Sequence, residues 1–152
     1  MNRSKLIAFV VAPATPALIT VIPALFTDTP VQSVWGMFML VSIVTYAHAV
    51  VLGVPAALLL SRKGTLTWFR VVGAAFLIGA LPLGALTLYQ EFTIPPGAGY
   101  EANGVVLRTD GRLTSAGQKS AIFGVLQGGG FGAATGLVWW FIARPRARRL
   151  AG

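Results

Sequence analysis

Long apolar runs broken by short polar and charged segments dominate this chain. Residues 6–26, 34–60, 71–90 and 120–143 each contain no Asp, Glu, Lys or Arg. A helix that crosses a bilayer needs about 20 mostly apolar residues to span a hydrocarbon core of roughly 30 Å. All four runs qualify, and with flanking residues added the spans fall at 6–26, 34–60, 67–90 and 117–143. Inside hydrocarbon every backbone N–H and C=O must be satisfied within its own segment, so these runs are expected to be helices. The strict alternation of a membrane barrel strand is absent. The pattern therefore predicts an all-α integral membrane protein: a four-helix transmembrane bundle forming a single domain over residues 1–152, with a small extracytoplasmic β-hairpin loop between helices three and four.

That loop, residues 91–116, is the one substantial aqueous segment. Ile94-Pro95-Pro96-Gly97 ends the preceding helix, because a residue before proline is driven out of the helical region. Asn103-Gly104 and Asp110-Gly111 are tight-turn pairs set between strand-like residues, which predicts a two- or three-stranded meander. Such a ribbon is marginal alone, so it is expected to rest on the bundle. Thr114 or Ser115 is placed to cap the fourth helix. The loop is longer than an ordinary connection, which points to a role. That role is contact with a partner through Tyr100, Glu101, Arg108, Asp110 and Arg112, or else a lid over the bundle mouth.

Composition agrees with lipid as the solvent. Of 152 residues, 55 % are hydrophobic and 11 % charged, against about a quarter charged in soluble domains. There is no cysteine, which excludes disulfides, thiolate metal sites and a cysteine nucleophile. The net charge of +8 raises the question of nucleic acid. Its distribution answers that question. Arg3, Lys5, Arg62, Lys63, Arg70, Arg144, Arg146, Arg148 and Arg149 belong to the two termini and the loop after span two, with no acid among them. The opposite side holds Arg108, Arg112 and Lys119 together with every acid, namely Asp28, Glu91, Glu101 and Asp110. Basic loops stay cytoplasmic, so both termini are expected in the cytoplasm of a bacterial inner membrane. The basic excess is read as a topology signal, with lipid as a partner and nucleic acid as none. Arg144 to Arg149 also suits anionic headgroups. Trp35 and Tyr89 near one border, and Trp68, Trp139 and Trp140 near the other, fit interfacial belts. A cleaved signal peptide is the rival reading of span one, because Ala12-Pro13-Ala14 resembles a cleavage site. The apolar run before it is too short, and span one is expected to be retained.

Within the spans, prolines 13, 16 and 23 crowd the carbonyls of Phe9, Ala12 and Ile19 and remove three donors, so span one is expected to kink or break. Pro55 acts likewise on span two. Gly124, Gly128, Gly132 and Gly136 recur every four residues and share one face of span four. Small residues let a second helix approach closely, which predicts a tight packing face. Its expected partner is another span, with Ala49, Gly53 and Ala57 on span two or Ala80 and Gly84 on span three as the matching ridge. A homo-oligomer is the alternative partner. A phosphate-binding loop is a poor reading of Gly128 to Gly130, because no strand precedes it and no Lys-Ser/Thr follows.

Histidine is the side-chain type that changes charge around physiological pH, and His48, in the middle of span two, is the only one. At that depth it is expected to face the bundle interior. Thr15 and Thr135 lie at similar depth and are candidate hydrogen-bond partners for its ring. Gln127 on span four is a second buried polar candidate, expected to glue helices together. Tyr46 is read as packing. No cofactor is expected, since haem would need a second ligand facing His48. No metal set occurs. Ser42 lies six residues from His48, on the opposite face of one helix, so no nucleophile–base pair forms. These features predict a non-enzymatic accessory or immunity-type protein that binds a partner through its external loop or helix faces. The alternative is a small transporter or channel that uses His48 and the proline-kinked first helix.

Overall fold

The computed structural model describes residues 3–62 and 67–143. Lys63 and the basic run Arg144 to Arg149 lie outside the described residues. Four helices are long and apolar enough to cross a membrane: α1 (Arg3–Ala24), α2 (Val31–Leu60), α3 (Trp68–Thr93) and α4 (Ser115–Ala143). Leu40, Ile43, Leu81 and Phe123 are each more than half exposed, which is tolerable in hydrocarbon and not in water. The meander expected between α3 and α4 is present as a three-stranded antiparallel sheet of β1 (Tyr100–Ala102), β2 (Val105–Thr109) and β3 (Arg112–Leu113), in that order.

Helix limits differ from the expected ones for local reasons. Pro30 lies just outside α2 with φ −57° and ψ 135°, and its carbonyl receives the N–H of Ser33 and of Val34, so α2 begins at Val31. Pro23 occupies the last turn of α1, where Phe26 N–H bonds Pro23 O and the Thr27 hydroxyl caps Ala24 O. α3 runs on through Glu91 to Thr93 and stops at Ile94, which takes the extended conformation (ψ 125°) that the following proline favours. Pro82 interrupts the donors of α3, yet that helix stays α-helical throughout.

Proline changes the helix type in the other two cases. In α1 a 3₁₀ turn occupies Ala12–Ala14, and Thr15 N–H reaches Ala12 O. That bond rescues a carbonyl that Pro16, having no N–H, leaves open. In α2 the residues before Pro55, Ala49–Gly53, form a π turn closed by Val54 N–H to Ala49 O. Such single π turns are common at functional positions.

The tightest packing joins α3 to α4. Gly128 approaches Gly79 so closely that a Cβ on Gly128 would lie 2.7 Å from Gly79 O. At Gly132 a Cβ would collide with Ala75 O, and at Gly136 it would lie 2.6 Å from Ala75 Cβ. Gly129 faces the Phe76 ring at 2.5 Å on the same test. One expectation needs correction: Gly124 meets nothing within 4 Å, so it stands beyond the end of this contact. The close-approach ridge on α3 is Val71, Ala75 and Gly79, while a Cβ on Gly84 would meet Val125 of α4 at 3.9 Å and Ala80 is buried.

α1 rests on the far end of this pair. Ala8 and Ala12 are buried with Val71, Trp139 and Ala143, and Phe9 meets Trp139 edge to face at 5.7 Å. α2 is the outer member, with Val34 the one buried residue of Val31–His48. Two hydrogen bonds tie α2 to α1 at the proline turn: Thr45 Oγ1 donates to Pro13 O (2.8 Å) and Tyr46 Oη to Val10 O (2.5 Å). Tyr46 therefore bonds across helices, where packing alone was expected.

Candidate functional site

Two places on the molecule carry more than packing. The first is a chamber of about 380 Å³ among the four helices. It forms because α2 leans on α1 and comes close to α3 only over its second half, from Ala49 on. Pro13 and Pro16 of α1 and the small residues Ala49, Gly53 and Ala57 of α2 contribute to its wall. Ala49 and Gly53 of that small ridge, a candidate packing partner for α4, line open space, whereas Ala57 also packs against the buried cluster of Ala8, Ala12, Val71, Trp139 and Ala143.

Among the described residues, three with polar side-chain atoms beside Trp139 line this chamber: Thr45, His48 and Thr135. The two hydroxyls are already committed. Thr45 Oγ1 lies 2.8 Å from Pro13 O and 2.9 Å from Val41 O, while Thr135 Oγ1 donates to Phe131 O at 2.9 Å. His48 Nδ1 lies 2.7 Å from Val44 O, one turn back on its own helix. Thus His48 and Thr135 share the chamber, but neither Thr135 nor Thr15 bonds the ring. Thr15 is half-buried at the end of the 3₁₀ turn and does not line the chamber. Gln127 is a correction. It is exposed, on the outer side of α4, because it lies about 100° from Gly128 on a helical wheel, opposite in sense to buried Gly129. Ser42 Oγ is buried without a partner and away from the chamber.

The second place is the sheet. Asn103 and Gly104 (φ 51° and 75°) and Asp110 and Gly111 (φ 50° and 77°) form its two turns. Positive φ at both central residues is what a two-residue hairpin of matching twist requires, and Asn-Gly and Asp-Gly supply it. Arg108 on β2 turns inward with 5 % of its surface exposed. Its guanidinium pairs with Glu91 Oε2 at 3.0 Å and donates to Gly111 O. Glu91 Oε1 accepts Leu113 N–H at 3.2 Å. Thr114 caps α4 by accepting Gly117 N–H (3.1 Å) and also donates to Val106 O (2.8 Å). Gly117 sits so close to Leu107 O that no Cβ fits. The sheet is thereby fixed to the end of α3 and the start of α4.

This geometry redistributes the five loop residues. Arg108 is withdrawn into the structure and is unavailable as an outward contact. Asp110 is exposed, but its Oδ1 accepts Gly97 N–H at 2.7 Å. Tyr100, Glu101 and Arg112 remain outward, Tyr100 with 61 % of its surface exposed. No residue of 91–116 lines the chamber, so the sheet is not a lid upon it. No family model, curated protein or solved structure matches this chain.

Proposed function

We propose that the chain is a non-enzymatic protein of a bacterial inner membrane, of accessory or immunity type, with both termini in the cytoplasm. Its external sheet is the surface that engages a protein partner. The observation that carries this reading is the contrast within the sheet. The sheet is locked to the helix ends by Arg108–Glu91 and the Thr114 cap, while the side chains of Tyr100, Glu101 and Arg112 are exposed and make no hydrogen bond or ion pair among the described residues. An ordered, pre-organised surface loses less entropy on binding than a mobile loop.

The test is gentle extraction from cells after cross-linking, followed by mass measurement of the intact assembly. The unsubstituted chain is expected to carry a protein partner in fixed ratio. The Tyr100→Ala, Arg112→Ala double variant is expected to lose it while still inserting normally. A partner retained by the variant, or none on the unsubstituted chain, would refute the reading.

A small transporter or channel is the second reading, favoured by a chamber that His48, Pro13 and Pro16 line together. Among the described residues no Asp, Glu, Lys or Arg lines the wall, which is poor provision for a hydrated ion. Proton-coupled flux in liposomes that disappears with His48→Ala would move this reading to first place.

A further inference from the structure

We infer that the outer face of α4 pairs with the same face of a second copy of this chain, the two Gln127 carboxamides bonding each other across a two-fold axis along the membrane normal. This goes beyond the partner-binding reading and does not depend on it.

The first observation is a polar group in an apolar solvent. Gln127 lies near the middle of α4 (Ser115–Ala143) and is exposed. It stands about 12 Å inside Lys119 along the helix axis, at 1.5 Å per residue. On a helix that crosses a bilayer, an exposed side chain at that depth meets hydrocarbon. Other polar side chains in the spans avoid this locally. Thr20, Thr87 and Thr135 donate their hydroxyls to carbonyls one turn back, on Pro16, Leu83 and Phe131. Gln127 makes no hydrogen bond among the described residues. Its carboxamide holds two donors and an acceptor, and leaving them unpaired away from water is strongly unfavourable. Lipid ester oxygens stay at the border of the hydrocarbon, nearer Lys119 than Gln127.

The second observation is the face on which Gln127 sits. Ser120, Phe123, Gln127, Gly130, Ala134 and Leu137 follow one another at alternating spacings of three and four. That is the seam of a left-handed coiled coil, with Gln127 at an a position. All but the half-buried Ala134 are exposed. The seam lies on the side of α4 opposite Gly129 and Gly136, which are buried against α3. A Cβ on Gly130 would meet nothing within 4 Å. This glycine serves no contact within one chain, yet it lets a second backbone approach beside Gln127.

A second copy is the occupant that these two observations select. Copies inserted in the same sense run parallel, so a two-fold axis brings Gln127 to Gln127 of the partner subunit at equal depth. A two-fold contact needs a surface complementary to itself. A carboxamide meets that need, since each N–H donates to the other's Oε1. A polar residue at one a position also fixes register and strand number in a coiled coil.

The test uses the full chain, purified alone and labelled at its N-terminus, in dioleoylphosphatidylcholine vesicles. Energy transfer between donor- and acceptor-labelled copies is followed as lipid is added. A dimer is expected, with Gln127→Leu raising its dissociation constant about tenfold. Gln127→Asn, which keeps the carboxamide, is expected to stay closer to the unsubstituted chain. Gly130→Leu is expected to weaken the dimer as well, because open space surrounds this position in the single chain. In cell membranes under mild oxidant, Phe123→Cys is expected to link two copies. Ile122→Cys, 59 % exposed but turned away from the seam, is expected not to. A monomer at every dilution, undiminished affinity in Gln127→Leu or Gly130→Leu, or equal linking at the two cysteine positions would each overturn the proposal. If Gln127→Leu does not fold, Gly130→Leu and the two cysteine variants decide.

Discussion

Arg108 is the residue on which the sheet turns, and its position explains why a loop arginine is not a contact residue. A guanidinium removed from water needs a carboxylate and further acceptors, and Glu91 and Gly111 O supply them. Replacing Glu91 by Ala leaves that charge uncompensated. Because Glu91 itself is one-third exposed, the expected loss is about 2 kcal/mol, below the figure for a fully buried pair. Protease sensitivity within 97–114 measures it: Glu91→Ala is expected to be cut sooner, and an unchanged rate would show that the pair does not hold the sheet. Residue roles of this kind were only partly legible beforehand. Asn103-Gly104 and Asp110-Gly111 name their turns because positive φ is a property of the residue. The inward direction of Arg108 and the outward one of Gln127 depend on which face a neighbouring element covers, and an almost uniformly apolar helix does not announce that. Thr45 and Tyr46 were missed as interhelical donors. The available signal was a pair of hydroxyls on span two opposite prolines on span one, where carbonyls lose their usual partners.

At the level of elements, α3 and α4 form the rigid part and α2 the loose one. Close approach of two backbones in lipid gains dispersion contacts without needing burial from water. It is confined here to the stretch where Gly128, Gly132 and Gly136 meet Val71, Ala75 and Gly79. Gly132→Leu is therefore expected to separate the pair and depress the yield of folded protein severalfold, whereas Gly124→Leu, with open space around it, is expected to be tolerated. Thermal aggregation of the two detergent-solubilised variants distinguishes them, and equal behaviour would remove the packing argument. The four-residue glycine spacing pointed to this face correctly in its middle and too far at one end. Spacing gives the stripe, but the crossing of two helices decides how much of it is used. Prolines behaved similarly. Their presence signalled disturbance in α1 and α2, while the outcome, a 3₁₀ turn in one and a π turn in the other, was set by which donor lay within reach.

For the whole molecule the first matter is sidedness. The chain has no cysteine, so single introduced thiols report position cleanly. Asn103→Cys is expected to react with a membrane-impermeant maleimide on intact cells, and Ser4→Cys only after lysis. The reverse pattern would invert the proposed topology. The number of long apolar helices, the polar connection between the third and fourth, and its turn sites were all determined by sequence alone. They follow from local facts: about 20 apolar residues in a row, a proline that cannot donate, a glycine that tolerates positive φ. Tertiary structure alone decided that α3 and α4 pair through Gly79 and Gly128, that α2 stands off to leave a chamber, and that His48 and Thr135 are among the residues lining it. Hydrocarbon solvates every face of an apolar helix about equally well, so hydropathy carries no record of which faces meet. Shape complementarity between particular side chains makes that choice, and it exists only once the helices are side by side.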